Sequence, residues 1–365
     1  MTSSQVATHE KLLWNPEAYR CTIGPVFFQT MNCFVTGASG FIGSNLVREL
    51  LAHGQHVKAL VRPNSDLRAL AGLEFERVTG DVSDRELLKR EMKGCEWCFH
   101  VAASYHLWLR NYKPMYAANV EGTRNVIEAA GKAVCHRIVY TSTVGCIGLP
   151  KISKGVLTPT NEFSRISPEQ LTNHYKRSKW MAEEIAADFA RKGFPVVIVN
   201  PTAPVGPRDV KPTPTGQVIV SFLNRRLPAY LDTGLNWVHV RDVAIGHILA
   251  AEKGNVGDRY ILGNAEGNWT MREMLAALEK ISGIRAPRIK IPYGIALAAA
   301  HVNEIAAFIT GIPPRAPLAG VRMARYKMWF DPSKAIHQLG LPQTPPGEAL
   351  ADAVEWFRGN GYVKR

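Results

Sequence analysis

Tyr175 and Lys179 stand four residues apart in Tyr175-Lys-Arg-Ser-Lys179, a segment that runs on through Trp180-Met-Ala-Glu-Glu-Ile-Ala-Ala. That stretch is rich in strong helix formers, so both side chains share one helical face. A phenol with an ordinary pKa near 10 is a weak acid or base at neutral pH, and a neighbouring ammonium would draw it toward the working range. The pair can therefore exchange a proton with a substrate oxygen. Two hydroxyls, Ser142 and Thr143, follow the apolar run Arg137-Ile-Val-Tyr-Thr141. They fall at the carboxyl end of a strand, where open α/β sheets bind ligands.

A phosphate-bearing partner is written near the start of the chain. Asn32-Cys-Phe-Val-Thr36 reads as a strand, glycines follow at 37, 40 and 43, and a helical pattern continues through Leu46 to Leu51. Strand, glycine turn and helix in this order let backbone approach a pyrophosphate, held by the helix N-terminal N–H groups. The spacing is GxxGxxG rather than GxGxxG. Gly37, Ser39, Gly40, Phe41, Ile42 and Gly43 are accordingly expected to bind a dinucleotide. A second strand, His56–Val61, ends without the acidic residue that an NAD site would use on the ribose 2′-hydroxyl. Arg62, Asn64 and Ser65 stand there instead and could hold a 2′-phosphate, so NADP(H) is the expected cofactor. NAD(H) is the alternative, with Asp66 or another residue on the ribose. Asp81, in Gly80-Asp81-Val82, could meet the adenine amino group or cap the next helix.

The elements that must hold these residues alternate. Strands are expected at 74–78, 97–101, 137–140 and 196–199, and helices at 85–93 and 119–130. Such alternation predicts an α/β fold with a Rossmann-like, doubly wound parallel sheet. A strand at 236–240 followed by a helix, and Thr270 with Glu273 at capping-box spacing, suggest a smaller, interleaved C-terminal substrate-binding domain. The expected division is 31–200 with about 237–263 for the dinucleotide, and about 201–236 with 264–365 for substrate. Arg208, Lys211, Arg225, Arg226, Arg322, Arg325 and Lys327 are candidate contacts for an anionic substrate.

Composition narrows the rest. The 365 residues are 46% hydrophobic and 21% charged, ordinary for a folded chain. The net charge of +13 is spread along the chain without long runs of one sign, so nucleic acid is not an expected partner. Six cysteines without a framework spacing suit a reducing, cytoplasmic setting. Cys95 and Cys98 form a lone CxxC, and no metal site is expected. The apolar stretch 295–309 is too short to span a bilayer and reads as a core or interface helix, with a peripheral membrane contact left open. Residues 1–30 lack an apolar secretory core and read as an N-terminal extension that can be removed without loss of stability.

The ordered motifs Thr36-Gly-Ala-Ser-Gly-Phe-Ile-Gly43, Gly80-Asp-Val82, His100-Val-Ala-Ala103, Asn119-Val-Glu-Gly-Thr123, Thr141-Ser-Thr143, Tyr175-Lys-Arg-Ser-Lys179, Asn200-Pro-Thr-Ala-Pro-Val-Gly-Pro207 and His239-Val-Arg-Asp-Val243 resemble an extended short-chain dehydrogenase/reductase of the NAD-dependent epimerase/dehydratase group. Within it the chain resembles dihydroflavonol-reductase-like proteins. It resembles hopanoid-associated sugar epimerases most, through Asn200–Arg208, Val321–Phe330 and the ending Ala349–Phe357. The resemblance implies an enzyme that moves hydride at a hydroxyl or ketone carbon, of a sugar in an epimerase or in net reduction in a ketone reductase; a non-catalytic cofactor sensor is the remaining class. It implies Tyr175 as acid/base, Thr143 (with Ser142 in reserve) as the substrate-oxygen partner, and Lys179 on the nicotinamide ribose. Val82, Val101, Ala102, Ala103, Asn119, Thr141, Pro201, Thr202 and Ala203 complete the implied cofactor surface, and Asn119 could equally cap its helix. A homodimer and a small sugar-bearing or lipid-linked substrate follow from the same likeness. Val205 replaces the family's usual tyrosine, and the loop Lys211–Gly216 matches no sugar-nucleotide site residue by residue.

Overall fold

The computed structural model describes residues 30–364 except Lys154, Gly155 and Arg315. The expected extension, with Trp14, Cys21, Phe27 and Phe28, lies outside the described residues. From Met31 onward the chain forms one compact unit.

Seven short runs become strands, all but the edge strand β3 largely apolar: β1 (Asn32–Thr36), β2 (His56–Val61), β3 (Glu76–Thr79), β4 (Trp97–His100), β5 (Arg137–Thr141), β6 (Val196–Pro201) and β7 (Arg259–Leu262). They pair in the order β3-β2-β1-β4-β5-β6-β7, every pair parallel. Strands in such a sheet are covered on both faces, which is why β4 and β6 are buried along their whole length and read as continuous apolar runs rather than alternating ones. The helices that matter for the site are α1 (Phe41–Ala52), α2 (Arg85–Glu91), α3 (Gly122–Lys132), α4 (His174–Arg191), α5 (Val240–Lys253) and α6 (Tyr293–Thr310). Leu46, Val47 and Leu50 of α1 and Val243, Ala244 and Ile248 of α5 pack on one face of the sheet. Leu88 of α2, Val126 and Ile127 of α3 and Ala182, Ala186 and Phe189 of α4 pack on the other. The doubly wound sheet is thus as expected, and its order reverses between β1 and β4, where ligands of such sheets bind.

A further core gathers Phe222, Trp237, Leu278 and Phe357 beyond the main sheet. The strand expected at 236–240 is Gly234–His239, paired with Ala203–Val205 and Asn268–Thr270. Thr270 and Glu273 form the expected capping box. Val205 is buried in this pairing.

Three expectations change. Asp81 is not a helix cap: Asp84 accepts the Leu87 N–H at the start of α2, while Asp81 turns to the backbone and hydroxyl of Ser83. Asn119 does not open a helix. Helical backbone begins at Lys113 and passes through a π-turn, Ala117–Glu121, into α3, so Asn119 sits mid-run, where there is no helix start for its side chain to cap. The apolar stretch 295–309 is no core helix: in α6 only Ala300 and Ala307 are buried. α6 has 18 residues and is long and apolar enough, by length and composition, to cross a membrane.

Candidate active site

At the end of β1 the chain turns through Gly37, whose φ of +68° is the left-handed region that favours glycine. A Cβ on Gly37 would lie 2.6 Å from the Ala102 nitrogen, and one on Gly43 only 2.1 Å from the Gly37 carbonyl oxygen. The loop therefore folds onto both β4 and α1 with no room for a methyl group. α1 begins at this turn with no side-chain cap and no acidic residue in its first turn, so its N-terminal N–H groups are left for an outside acceptor. This cradle fits a dinucleotide pyrophosphate. Ser39, Gly40, Phe41 and Ile42 line it, partly or fully open to solvent.

A buried chain of hydrogen bonds fixes the loop after β4. The Ala102 N–H donates to Thr36 Oγ1, which lies 2.8 Å from His100 Nδ1; His100 Nε2 lies 3.0 Å from Thr123 Oγ1, and Thr123 donates to the Asn119 carbonyl. Because each threonine oxygen must donate once, the His100 proton belongs on Nε2. Burial, with help from Lys179, lowers the His100 pKa to about 3, so it is a neutral strut between β1, β4 and α3. Asn119 extends the strut: its side chain accepts the Ser104 N–H at 2.7 Å and donates to the Ser104 carbonyl and to Ser178 Oγ of α4. Its role is to tie the loop carrying Val101, Ala102 and Ala103 to the helix carrying Tyr175 and Lys179.

α4 is capped by Asn173, which accepts the Lys176 N–H, and so begins one residue before Tyr175. Thr143 faces the Tyr175 phenol, while its oxygen also accepts the Gly145 N–H. Ser142 points the other way, buried beside Glu183 and Cys146, because successive residues leaving β5 alternate sides. Thr143 rather than Ser142 therefore shares the phenol's environment. Thr141 turns its hydroxyl to His247 Nε2 at 2.9 Å, away from the cleft, and offers its carbonyl to Lys179 Nζ at 2.7 Å.

One expectation about this pair is corrected. Lys179 does not draw the phenol pKa down; burial pushes it up, Tyr105 and Cys146 add to the rise, and Thr143 alone opposes it. The reason is direction: the ammonium points at the Thr141 carbonyl and sits 4.5 Å over the Tyr140 ring. Burial lowers Lys179 itself to about 8, against the pull of Cys146 and Glu183.

Beneath them Glu183, two turns beyond Tyr175 on α4, accepts Asn200 Nδ2 at 2.8 Å and pairs with Arg259. Asn200 also donates to the Thr143 carbonyl at 3.0 Å, joining β6, α4 and the Thr143 loop. Pro201 ends β6, buried like Ala203, and the Thr202 N–H donates to Leu262 of β7. Val82 is buried, and its carbonyl accepts Asn125 Nδ2 of α3.

At the far end of the cleft, Arg62 and Asn64 are exposed and Ser65 half-buried, with the Arg62 N–H donating to Ser65 Oγ. Burial lowers the His106 pKa most, and Lys211 and Arg62 add to the fall, so these two cations lie near a neutral His106. Asp66 is engaged by Arg68 at 2.7 Å. The other candidate anion contacts do not converge. Arg208 reaches Asn45 of α1, Arg325 lies near the Tyr293 and Tyr326 rings, Lys327 lies over Trp329, and Arg322 lines a separate cavity. Cys95 and Cys98 are buried free thiols, and no cluster of metal-binding side chains occurs among the described residues.

Aromatic residues were missed in the sequence. Tyr105 packs edge-on against Tyr175, ring centres 4.3 Å apart, and Tyr112 stacks on His174 at 4.0 Å. Tyr105 and Tyr112 belong to a segment without periodicity, so only the fold brings them to α4.

Residues 33–263 match the NAD dependent epimerase/dehydratase family. The chain is 46% identical over 335 residues to a putative dihydroflavonol 4-reductase of Synechocystis, covering 91% of this chain and 96% of the relative. It is 35% identical over 337 residues to sterol demethylase protein B of Methylococcus capsulatus, covering 91% of this chain and 100% of the relative. The crystal structure of a nucleoside-diphosphate-sugar epimerase from Pseudomonas aeruginosa superposes with a TM-score of 0.76 at 26% identity, over 92% of this chain and all of that one. With a glycine cradle, a parallel sheet and a Tyr–Lys helix in the matching order, this chain is an NAD(P)-dependent enzyme and belongs to the NAD dependent epimerase/dehydratase family.

Proposed function

We propose that the chain is a ketone reductase or epimerase in which Tyr175 carries the proton and Thr143 holds the substrate oxygen. When bound, a nicotinamide cofactor supplies or accepts the hydride. Lys179 is the residue to hold its ribose, Gly37, Gly40 and Gly43 its pyrophosphate, Asp81 its adenine, and Pro201, Thr202 and Ala203 its nicotinamide ring. The observation that carries the reading is the shared environment of Thr143 and Tyr175 at the carboxyl end of β5, one helical turn from Lys179.

Net reduction is the first reading, supported by the relative named a putative dihydroflavonol 4-reductase. Burial keeps the phenol protonated, so Tyr175 stands ready to give a proton to a carbonyl oxygen that becomes a hydroxyl. Epimerisation at a sugar carbon is the second reading, supported by the family and by the epimerase fold likeness. NADP(H) is preferred, supported by the two cations Arg62 and Lys211 near one another and by the engagement of Asp66 with Arg68. An apolar substrate of the sterol kind is supported by the relative named for a sterol demethylase and by the resemblance to hopanoid-associated proteins. A cytoplasmic homodimer with a nucleotide lobe and an interleaved substrate lobe completes the proposal.

The test is a titration of the purified protein with NADP(H) and NAD(H), alongside Tyr175→Phe. The expected result is tighter binding of NADPH than NADH, unchanged NADPH affinity in Tyr175→Phe, and turnover of a test ketone reduced by about a hundredfold or more. Equal affinities refute the NADP preference, and retained turnover refutes Tyr175 as the acid.

A further inference from the structure

We infer that α6 is a bilayer-docking surface that brings an amphiphilic lipid substrate to the helix carrying Tyr175; the substrate half of this inference rests on the reductase or epimerase reading above. α6 holds the fold with its inner side, through Ala300 against Leu318 and Val321, with Tyr293, Ala296 and Leu297 beside them. Its outer side is also apolar. Ile295, Val302, Ile305 and Ile309 are 64%, 67%, 61% and 77% exposed, and Phe308 and Ile312 extend the same surface. A lone exposed leucine-type side chain is unremarkable, whereas a continuous row of this kind on a single helix marks a binding face.

The pattern separates two occupants. A second copy packing helix on helix would use a narrow seam flanked by charges that set pairing. Here Ala298, Ala299, Ala306 and Phe308 widen the exposed face, and its only ionisable side chain is His301. Glu304 turns from that face into a cavity. Two exposed arginines stand at the ends of the helix: Arg325 lies 6.0 Å from the Tyr293 ring at its first turn, and Arg110 donates to the Phe308 carbonyl at 3.0 Å in its last. An uncharged apolar face with an arginine near either end, on a chain of net charge +13, complements an anionic lipid surface, which attracts each cation while the apolar side chains enter the acyl boundary.

The same helix adjoins the start of α4. A cavity of about 320 Å³ lies between α6 and the first turns of α4, with Glu304 and Phe308 on one side and His174 and Arg177 on the other. His174 and Arg177 flank Tyr175 in the chain, so the cavity abuts the helix that carries the phenol although Tyr175 itself does not line it, and Phe308 belongs to both the cavity and the exposed face. A lipid leaving a bilayer under α6 would therefore reach the Tyr175 helix without crossing water, its polar end met by Arg177, Arg322 and Glu304.

The experiment is flotation of the full chain with vesicles of phosphatidylcholine alone and of phosphatidylcholine with phosphatidylglycerol, comparing wild type, Ile305→Glu/Ile309→Glu and the milder Ile305→Ala/Ile309→Ala. Both residues are exposed and lie outside the lining of the cavity between α6 and α4, so circular dichroism and NADPH affinity should be unchanged. Wild type should float with the anionic vesicles, and the glutamate variant should lose at least about tenfold in partition, or about 1.4 kcal/mol, with the alanine variant between. No flotation of wild type at low salt overturns the docking surface. So does a glutamate variant that floats normally but converts a dimer to a monomer in sedimentation, because α6 then faces a second copy. Turnover of a water-soluble ketone should be equal in all three proteins. Turnover of a vesicle-borne ketone should fall only in the variants, and equal turnover overturns the lipid-entry half. Loss of all ketone turnover in wild type would instead strike the enzyme reading, leaving flotation as an independent result.

Discussion

Lys179→Met tests the electrostatics of the site through folding stability. The ammonium is 2% exposed, and its pKa falls from an ordinary 10.5 to about 8 because burial disfavours its charge. Above pH 8 the folded protein increasingly releases this proton while the unfolded chain keeps it until about pH 10.5, so the unfolded state binds more protons and stability rises with pH. Below pH 8 both states hold the proton and the penalty is at its full value. Between pH 7 and pH 9 those two pKa values make the wild type about 1.3 kcal/mol more stable through this one group. Methionine keeps most of the side-chain length and removes the charge. Urea unfolding at both pH values, on wild type and variant, gives the double difference; titrations common to both proteins cancel. The expected result is that the variant lacks about 1 kcal/mol of the wild type's increment. A variant with the same increment as wild type would falsify the assignment of a buried, charged Lys179. Removing the ammonium should also abolish turnover while α4 remains folded.

Other outcomes follow from the packing. Gly43→Ala would place a methyl group 2.1 Å from the Gly37 carbonyl, so the cradle must shift; fluorescence titration should show NADPH affinity falling by at least about tenfold. An unchanged affinity would mean the glycine turn does not contact the cofactor. Asn119→Ala leaves the Ser104 N–H and carbonyl without their partner and deprives Ser178 of a donor, at a cost of about 2–3 kcal/mol in urea unfolding. A loss below about 1 kcal/mol would show that water replaces these bonds readily. Arg62→Ala should reduce NADPH affinity much more than NADH affinity in parallel titrations, and an equal effect on both would remove Arg62 from the 2′-phosphate.

Much of the architecture follows from local pattern. Period and glycine spacing were enough for the parallel sheet, because buried parallel strands are short apolar runs and a glycine turn before a helix has few other uses. The Thr270 capping box was equally visible, since its partners are three residues apart. The common face of Tyr175 and Lys179 was also readable from helical spacing alone.

What the chain could not show locally depended on direction and distance. The effect of Lys179 on Tyr175 was misjudged because sharing a helical face does not say where an ammonium points, and the Thr141 carbonyl of a neighbouring strand claims it. Asn119 looked like a cap because its partners, Ser104 and Ser178, lie on other elements. Whether α6 was core or surface was undecided by composition, since an apolar helix can meet either a core or a lipid. Only the tertiary packing, which covers its inner side with Leu318 and Val321 and leaves Ile295 to Ile309 outside, separates the two, because burial is a property of what the rest of the chain brings alongside.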